Sequence, residues 1–403
     1  MDTSVGDISH RYIDALVDEL DISDTRYQQA TDSYMSLGRW LNREGSTIAQ
    51  YGPAVYVQGS FGLGTVIKPI DLHEEYDVDS VCEFKKLGKR QVTQAQLKAM
   101  LHVEIEAYRR SKSMAKPLRE GRRCWTLNYA DGAQFHMDVV PALPNEADVR
   151  RLLEARSLDA RLAGTAIGIT DNERHDYRLI TDDWPRSNPK GYLEWFRSRM
   201  IVVLNERKAK LAKSIRASIE EIPDYRVRTP LQASIMILKR HRDVTFQSDT
   251  TKSAPISIII TTLAAHSYDG EEDVADALRS ILAGMDRHIE RDRSNRAIIR
   301  NPSDPLENFA DKWAEHPERE QGFFAWLRQA RADFARIAGM GSPRLITEAL
   351  SPHVGVELAK RAEKRAGGSS GPLLRGATAA SGAASAPSFG NAPRVPTKPK
   401  GFA

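Results

Sequence analysis

Residues 57–84 read VQGSFGLGTVIKPIDLHEEYDVDSVCEF, and the placement of their glycines and aspartates decides the fold. A β-rich run, AVYVQG, stops at Gly59-Ser60, and Tyr76 to Phe84 reads as a second strand. Side chains two apart on a strand share a face, so Asp77 and Asp79 project together. Two adjacent carboxylates repel each other unless a cation lies between them. Downstream, Arg123–Tyr129 and Gln134–Val140 flank Asp131-Gly132, a strong hairpin signal. The second of these strands carries Asp138 (FHMDVV), which can reach the same face from a neighbouring strand.

Three carboxylates supply the oxygen donors that a hard cation such as Mg²⁺ takes, and they suffice for a two-metal site acting on a triphosphate. Gly59 and Ser60, at a strand-to-helix turn, suit an anion contacted through backbone N–H groups and a hydroxyl. Gly62 and Gly64 keep that turn small. No protein nucleophile is required if a ribose hydroxyl attacks the α-phosphorus. Taken singly, each motif has an ordinary reading: a D-x-D is commonly a solvated strand end, and Gly-Ser marks loops everywhere. Their ordered combination, each on its expected element, favours the chemical reading.

Around this centre the chain opens helically, with Ile8, Tyr12, Leu16 and Leu20 on one face and then Tyr27, Ala30, Tyr34, Leu37 and Leu41 on a longer helix. Thr93-x-x-Gln96 is a capping box opening a helix that carries Leu97, Leu101, Ile105 and Tyr108. From Gly191 the pattern is almost wholly helical, and beyond Arg365 it collapses to Gly, Ala, Ser and Pro, a composition expected to stay disordered. The expected organisation is therefore α/β (α+β) and bilobed. A catalytic sheet lobe with its N-terminal helix spans 1–190, a helical lobe spans 191–365, and a tail spans 366–403.

The net charge of +4 lies in that tail, where Arg375, Arg394, Lys398 and Lys400 face no acidic residue, so the remainder is formally neutral. Binders of long duplexes carry a basic surplus on the folded domain, and duplex DNA is not expected here. The opening MDTSVGDISHRYIDALVDEL has no continuous apolar stretch, and no run of about eighteen apolar residues follows, so neither secretion nor a membrane span is expected. Cys82 and Cys124 form no disulfide or metal pattern. A reducing cytoplasm fits.

The order G-S, D-x-D, D resembles the polymerase-β-type nucleotidyltransferases. More narrowly, QGSFGLGTVIKP, YDVDSVCEF and FHMDVVPALP are similar to the bacterial cGAS/DncV-like nucleotidyltransferases (CD-NTases) of CBASS antiphage systems. The likeness extends through SNPKGYLEWF, TPLQASIMILKRHRD, PISIIITTLA and NPSDPLENFADKW. Sixteen residues separate Ser60 from Asp77, longer than the superfamily's usual spacing.

The resemblance implies an enzyme that makes cyclic di- or trinucleotides from nucleoside triphosphates, ATP and a second purine triphosphate, for a downstream cyclic-nucleotide effector. Asp77, Asp79 and Asp138 match its catalytic, metal-binding carboxylates, which hold two Mg²⁺ ions that Mn²⁺ can replace, and Gly59 and Ser60 match its triphosphate turn. Lys239 and Ser257 match positions facing the donor triphosphate, with Arg240 and Arg242 as further candidates for that basic wall. Against these stand a basic residue on a solvated helix face and a cap for the helix after Pro255. Ser187 and Asn188 match part of a base pocket, or else form an Asn-Pro turn. Tyr192, Trp195 and Phe196 are read as core, and the histidines, His10, His136 and His175 among them, as forming no triad. The zinc-ribbon insert of animal cGAS has no counterpart. The chain ends VPTKPKGFA, and Gly401, Phe402 and Ala403 are candidates for capture by ubiquitin-like conjugation machinery, or for no role. Two competing functions remain open: a linear oligonucleotide or RNA- or protein-modifying transferase, and an inactive nucleotide-sensing module.

Overall fold

The computed structural model describes residues 5–70, 75–129, 135–216 and 218–367. The turn at Asp131-Gly132 and the tail with Ala403 lie outside the described residues.

Alternation of apolar and polar residues makes the strands, and their pairing produces one mixed seven-stranded sheet. β1 (Pro53–Val57) runs antiparallel to β2 (Tyr76–Phe84), with α3 (Gly59–Leu63) between them. β5 (Phe135–Pro144) lies parallel to β2 with Asp79 directly opposite Asp138. The first half of β5 also pairs with β4 (Trp125–Tyr129), which carries β3 (Arg119–Glu120) at the edge. Its last residues pair with β6 (Ile167–Ile169), and β6 pairs with β7 (Arg186–Ser187). Tyr76, Val78, Phe135, Met137 and Val139 turn into the core beneath α2 (Asp24–Leu41) and α4 (Gln94–Ser111), while the aspartates turn the other way. The expected capping box is present: Thr93 accepts from the Gln96 amide at 3.1 Å and Gln96 accepts from the Thr93 amide at 2.8 Å.

After α5 (Glu146–Glu154), a long helix, α6 (Pro189–Ile215), leads into the helical lobe. That lobe holds α7 (Pro230–Thr245), α8 (Ser257–Ser267), α9 (Val274–Gly284), α10 (Pro317–Ile337), α11 (Pro343–Val354) and α12 (Val356–Gly367). Tyr192 and Phe196 are buried in its core, with Trp195 packed partly against it. Among the described residues no helix is long and apolar enough to cross a membrane.

One expectation is corrected. α1 (Val5–Leu20) does not belong to the sheet lobe: Tyr12, Leu16 and Leu20 are buried in the same core as α7, α9 and α12. The Tyr12 hydroxyl fixes the arrangement, lying 3.0 Å from Thr347 Oγ1 and donating to the Ala359 carbonyl at 3.0 Å. The chain therefore starts in the helical lobe, crosses to build the sheet lobe, and returns.

At that crossing Arg228 grips Asp21 through two nitrogens at 2.8 and 3.0 Å, both side chains being buried. Removing one partner of such a pair strands the other charge. Arg228→Leu is expected to cost about 3–5 kcal/mol, measured as the loss of unfolding free energy in urea.

Candidate active site

The turn from β1 into α3 comes unusually close to β2. Gly59 has φ +57°, and a Cβ placed there would lie 2.2 Å from Asp79 Oδ2. Only glycine fits, both for its backbone conformation and for the space. The Gln58 amide donates to the Asp79 carbonyl at 2.8 Å, which clamps the turn to the strand. Gly59, Ser60, Asp77 and Asp79 thereby share one wall of a cleft cavity of about 500 Å³.

The helical lobe supplies the opposite wall: Lys239, Arg242 and Asp243 from the end of α7, and Ser257, Ile258 and Thr261 from the start of α8. Lys239 is buried and donates to the Thr65 carbonyl at 3.0 Å. Burial, and then Arg242 beside it, push its pKa down to about 8, so it remains mostly charged at neutral pH. Arg242 donates to the Pro255 carbonyl at 2.7 Å and to Ser257 Oγ at 3.2 Å, holding the start of α8 in place. That helix end faces the cavity with its unsatisfied amides and the positive end of its dipole, which suits an anion.

The three aspartates are treated differently by their surroundings. Burial, reinforced by the neighbouring Asp77 and Asp138, pushes Asp79 up to about 6. The Asp138 carboxylate accepts from Thr126 Oγ1 at 2.6 Å, and Asp138 is not on the cavity wall. Asp77 is bonded to His136 Nε2 at 2.6 Å, and this hydrogen bond holds its carboxyl below the usual range. The same bond raises the pKa of His136. The donor set is all oxygen and its charges are crowded. That combination fits a divalent cation: Asp79 is costly to ionise where it stands unless positive charge joins it.

Several expectations change. Asn188 is bound within the protein through its whole side-chain amide. Its oxygen accepts from the Gly191 amide at 3.0 Å and from Thr165 Oγ1 at 2.8 Å, and its nitrogen donates to the Leu162 and Ser303 carbonyls. It caps α6, and neither it nor Ser187, which pairs with Ile167 in the sheet, lines the cleft. Ser257 does not cap α8: Ile256 occupies the cap position, and the Ser257 hydroxyl accepts from Arg242. Arg240 is off the cavity wall, its guanidinium donating to the Lys68 carbonyl.

The histidines are also not uniformly inert. His136 contacts Asp77, and His241 and His353 converge on Asp333 at 3.1 and 3.5 Å. His136 was legible in the sequence, since it precedes Asp138 by two on the same strand and so shares its face. The cluster at Asp333 was not, because its members come from three helices.

Residues 53–141 match the family model described as Cyclic GMP-AMP synthase DncV-like, nucleotidyltransferase domain. A curated c-di-GMP synthase of Roseivirga ehrenbergii is 28% identical over 317 residues, covering 77% of this chain and 75% of that protein. The cyclic dinucleotide synthase CdnG of Bradyrhizobium diazoefficiens is 24% identical over 305 residues, 72% of this chain and 66% of that protein. The chain carries a DncV-like nucleotidyltransferase domain and is similar to these cyclic dinucleotide synthases over most of its length. It is accordingly a nucleotidyltransferase. Its fold is that of the solved CdnG structure in complex with GTP, at a TM-score of 0.65 and 19% identity over 88% of this chain and 98% of that one. Vibrio cholerae DncV, solved with ATP and GTP, shares it at a TM-score of 0.54 and 13% identity, over 87% and 97% of the two chains.

Two predictions test this geometry in the nucleotidyltransferase. Gly59→Ala is expected to displace Asp79 and lower turnover by about a hundredfold, read as product formation per folded enzyme. The second concerns pH. Because the folded-state pKa of Asp79 lies above its unfolded value, its contribution to stability is present at low pH and lost as pH rises from about 4 through 6. Relative to Asp79→Asn, the metal-free wild type is expected to lose on the order of 1–2 kcal/mol across that window, measured by denaturant unfolding in EDTA.

Proposed function

We propose that this CD-NTase joins two purine nucleoside triphosphates, GTP among them, into a cyclic dinucleotide that serves as a signal in CBASS antiphage defence, acting on a downstream cyclic-nucleotide effector. The observation that carries the reading is the register pairing of Asp79 with Asp138 on parallel strands, beside a glycine turn that admits no side chain. The guanine preference is drawn from the relatives, one named a c-di-GMP synthase and another solved with GTP.

In this reading Gly59 and Ser60 approach the donor triphosphate through the turn, and Lys239 and the start of α8 face it across the cavity. Asp77, Asp79 and Asp138 are the residues that would hold two Mg²⁺ ions, with Mn²⁺ able to replace them. When bound, such ions lower the pKa of the attacking ribose hydroxyl and offset the charge of the leaving pyrophosphate. The protein's own part is orientation: with the sheet register fixed, the acceptor hydroxyl and the α-phosphorus meet in line. A linear intermediate then turns in the cleft and the second transfer closes the ring.

Incubating the protein with all four α-³²P nucleoside triphosphates and Mg²⁺ or Mn²⁺, followed by phosphatase and chromatography, tests this directly. A phosphatase-resistant small product is expected, dependent on GTP and absent from the Asp77→Ala/Asp79→Ala double variant. A linear ladder, or a product that persists in the double variant, would count against it.

A further inference from the structure

Asp77 is the most exposed of the three aspartates, its side chain 64% accessible at the rim of the cleft. A side chain so placed can sample several rotamers, and a metal ligand that must first be ordered binds weakly. Among the described residues its one hydrogen-bond partner is His136, whose Nε2 lies 2.6 Å from Oδ1. The pairing follows from the sheet, because Asp77 and His136 are register partners on β2 and β5, one pair before Asp79 and Asp138 along the same face. The imidazole is itself held. Its Nδ1 faces Glu75 Oε2 at 3.5 Å, and Glu75 Oε1 accepts from Lys116 Nζ at 2.7 Å. A chain of contacts thus runs from Lys116 through Glu75 and His136 to Asp77.

We propose that His136 is the positioning residue of Asp77: it fixes one carboxylate oxygen so that the other is presented to the divalent cation. This rests on the reading of Asp77 as a metal ligand. A carboxylate has lone pairs enough for both partners, since Oδ1 can accept from the ring and leave Oδ2 for a cation. Outer partners of this type raise affinity by restricting the ligand before the ion arrives, and their loss typically costs roughly 10- to 100-fold in metal binding. The opposite relation is also physically definite. If the His136 contact competed with the ion for Asp77, removing the ring would tighten binding.

The test measures metal binding rather than turnover, so it remains informative whatever product the enzyme makes. Mn²⁺ is titrated calorimetrically into the full chain, with and without a non-hydrolysable GTP analogue, for the wild type, His136→Ala, His136→Gln and Asp77→Asn. His136→Gln keeps a side-chain N–H for Asp77 and guards against misreading a folding defect. Thermal unfolding in EDTA checks each variant. Expected are a Kd for Mn²⁺ raised roughly 10- to 100-fold in His136→Ala, partial recovery in His136→Gln, and a defect in Asp77→Asn at least as large as that of His136→Ala. An unchanged or tighter Kd in His136→Ala overturns the positioning role. Wild-type affinity in Asp77→Asn overturns the assignment of Asp77 as a ligand, and the proposal with it.

Discussion

The close approach of Gly59 to Asp79 is the constraint on which the rest of the molecule depends. A strand-to-helix turn normally keeps a side chain's width from the neighbouring strand, but here the missing Cβ lets the backbone of the turn touch the carboxylate. This brings a place for phosphate and a place for a cation together. It also explains why the turn is clamped through the Gln58 amide to the Asp79 carbonyl: a shift along β2 would drive the turn into a side chain. The sheet must then hold β2 in register, and it does so from both sides, with β1 antiparallel on one edge and β5 parallel on the other. A slip of β2 by one residue would carry Asp77 and Asp79 to the core face, so burial of Val78 between them specifies the site as well as the fold.

The second requirement is that the helical lobe meet this wall at a fixed distance. α7 achieves this with three side chains that donate to carbonyls at the end of α3 and in the segment after it. Gln232 reaches Leu63 at 2.9 Å, Lys239 reaches Thr65 at 3.0 Å, and Arg240 reaches Lys68. Each bond satisfies a backbone oxygen at a helix end or in irregular structure, where the regular ladder offers none. Lys239 therefore has two tasks: it staples the lobes, and it brings positive charge to the cavity. The return of α1 into the helical core adds to this, because the chain crosses between lobes on both sides of the Asp21–Arg228 pair.

Legibility in the sequence followed the range of the interaction. β2 and the Thr93 capping box are governed by neighbours a few residues away, and their patterns are visible as alternation and caps. The lobe membership of α1 is not, since an amphipathic stripe such as Tyr12, Leu16 and Leu20 states that something will cover it without naming the partner. Asn188 shows both ranges at once. Its cap is local and an Asn-Pro turn announces it, but its bonds to Leu162, Thr165 and Ser303 lie 23 to 115 residues away. Those bonds engage every polar atom of its amide. The segment SNPKGYLEWF thus seats α6, with Tyr192 and Phe196 buried below.

The cluster of His241, Asp333 and His353 bears on how α7 keeps its orientation. Three potential ligands converge there within 4.8 Å, an arrangement that also suits a metal. The hydrogen bonds account for it without one. Both Asp333 oxygens accept from Gln329 at 3.0 Å, one accepts from Arg336 at 3.1 Å, and the other lies 3.1 Å from His241 Nε2. A cation would have to displace these donors and lie beside a guanidinium, which is unfavourable. The cluster is better understood as a buried polar clamp joining α7, α10 and α11. His241 sits between Arg240 and Arg242 in sequence, and its ring faces the core while Arg242 faces the cleft. A helix gripped by a directional polar contact on its inner side cannot rotate about its axis as an apolar face would allow. Fixing His241 therefore fixes the bearing of Lys239 and Arg242, and with it the charge that the cleft presents to a triphosphate.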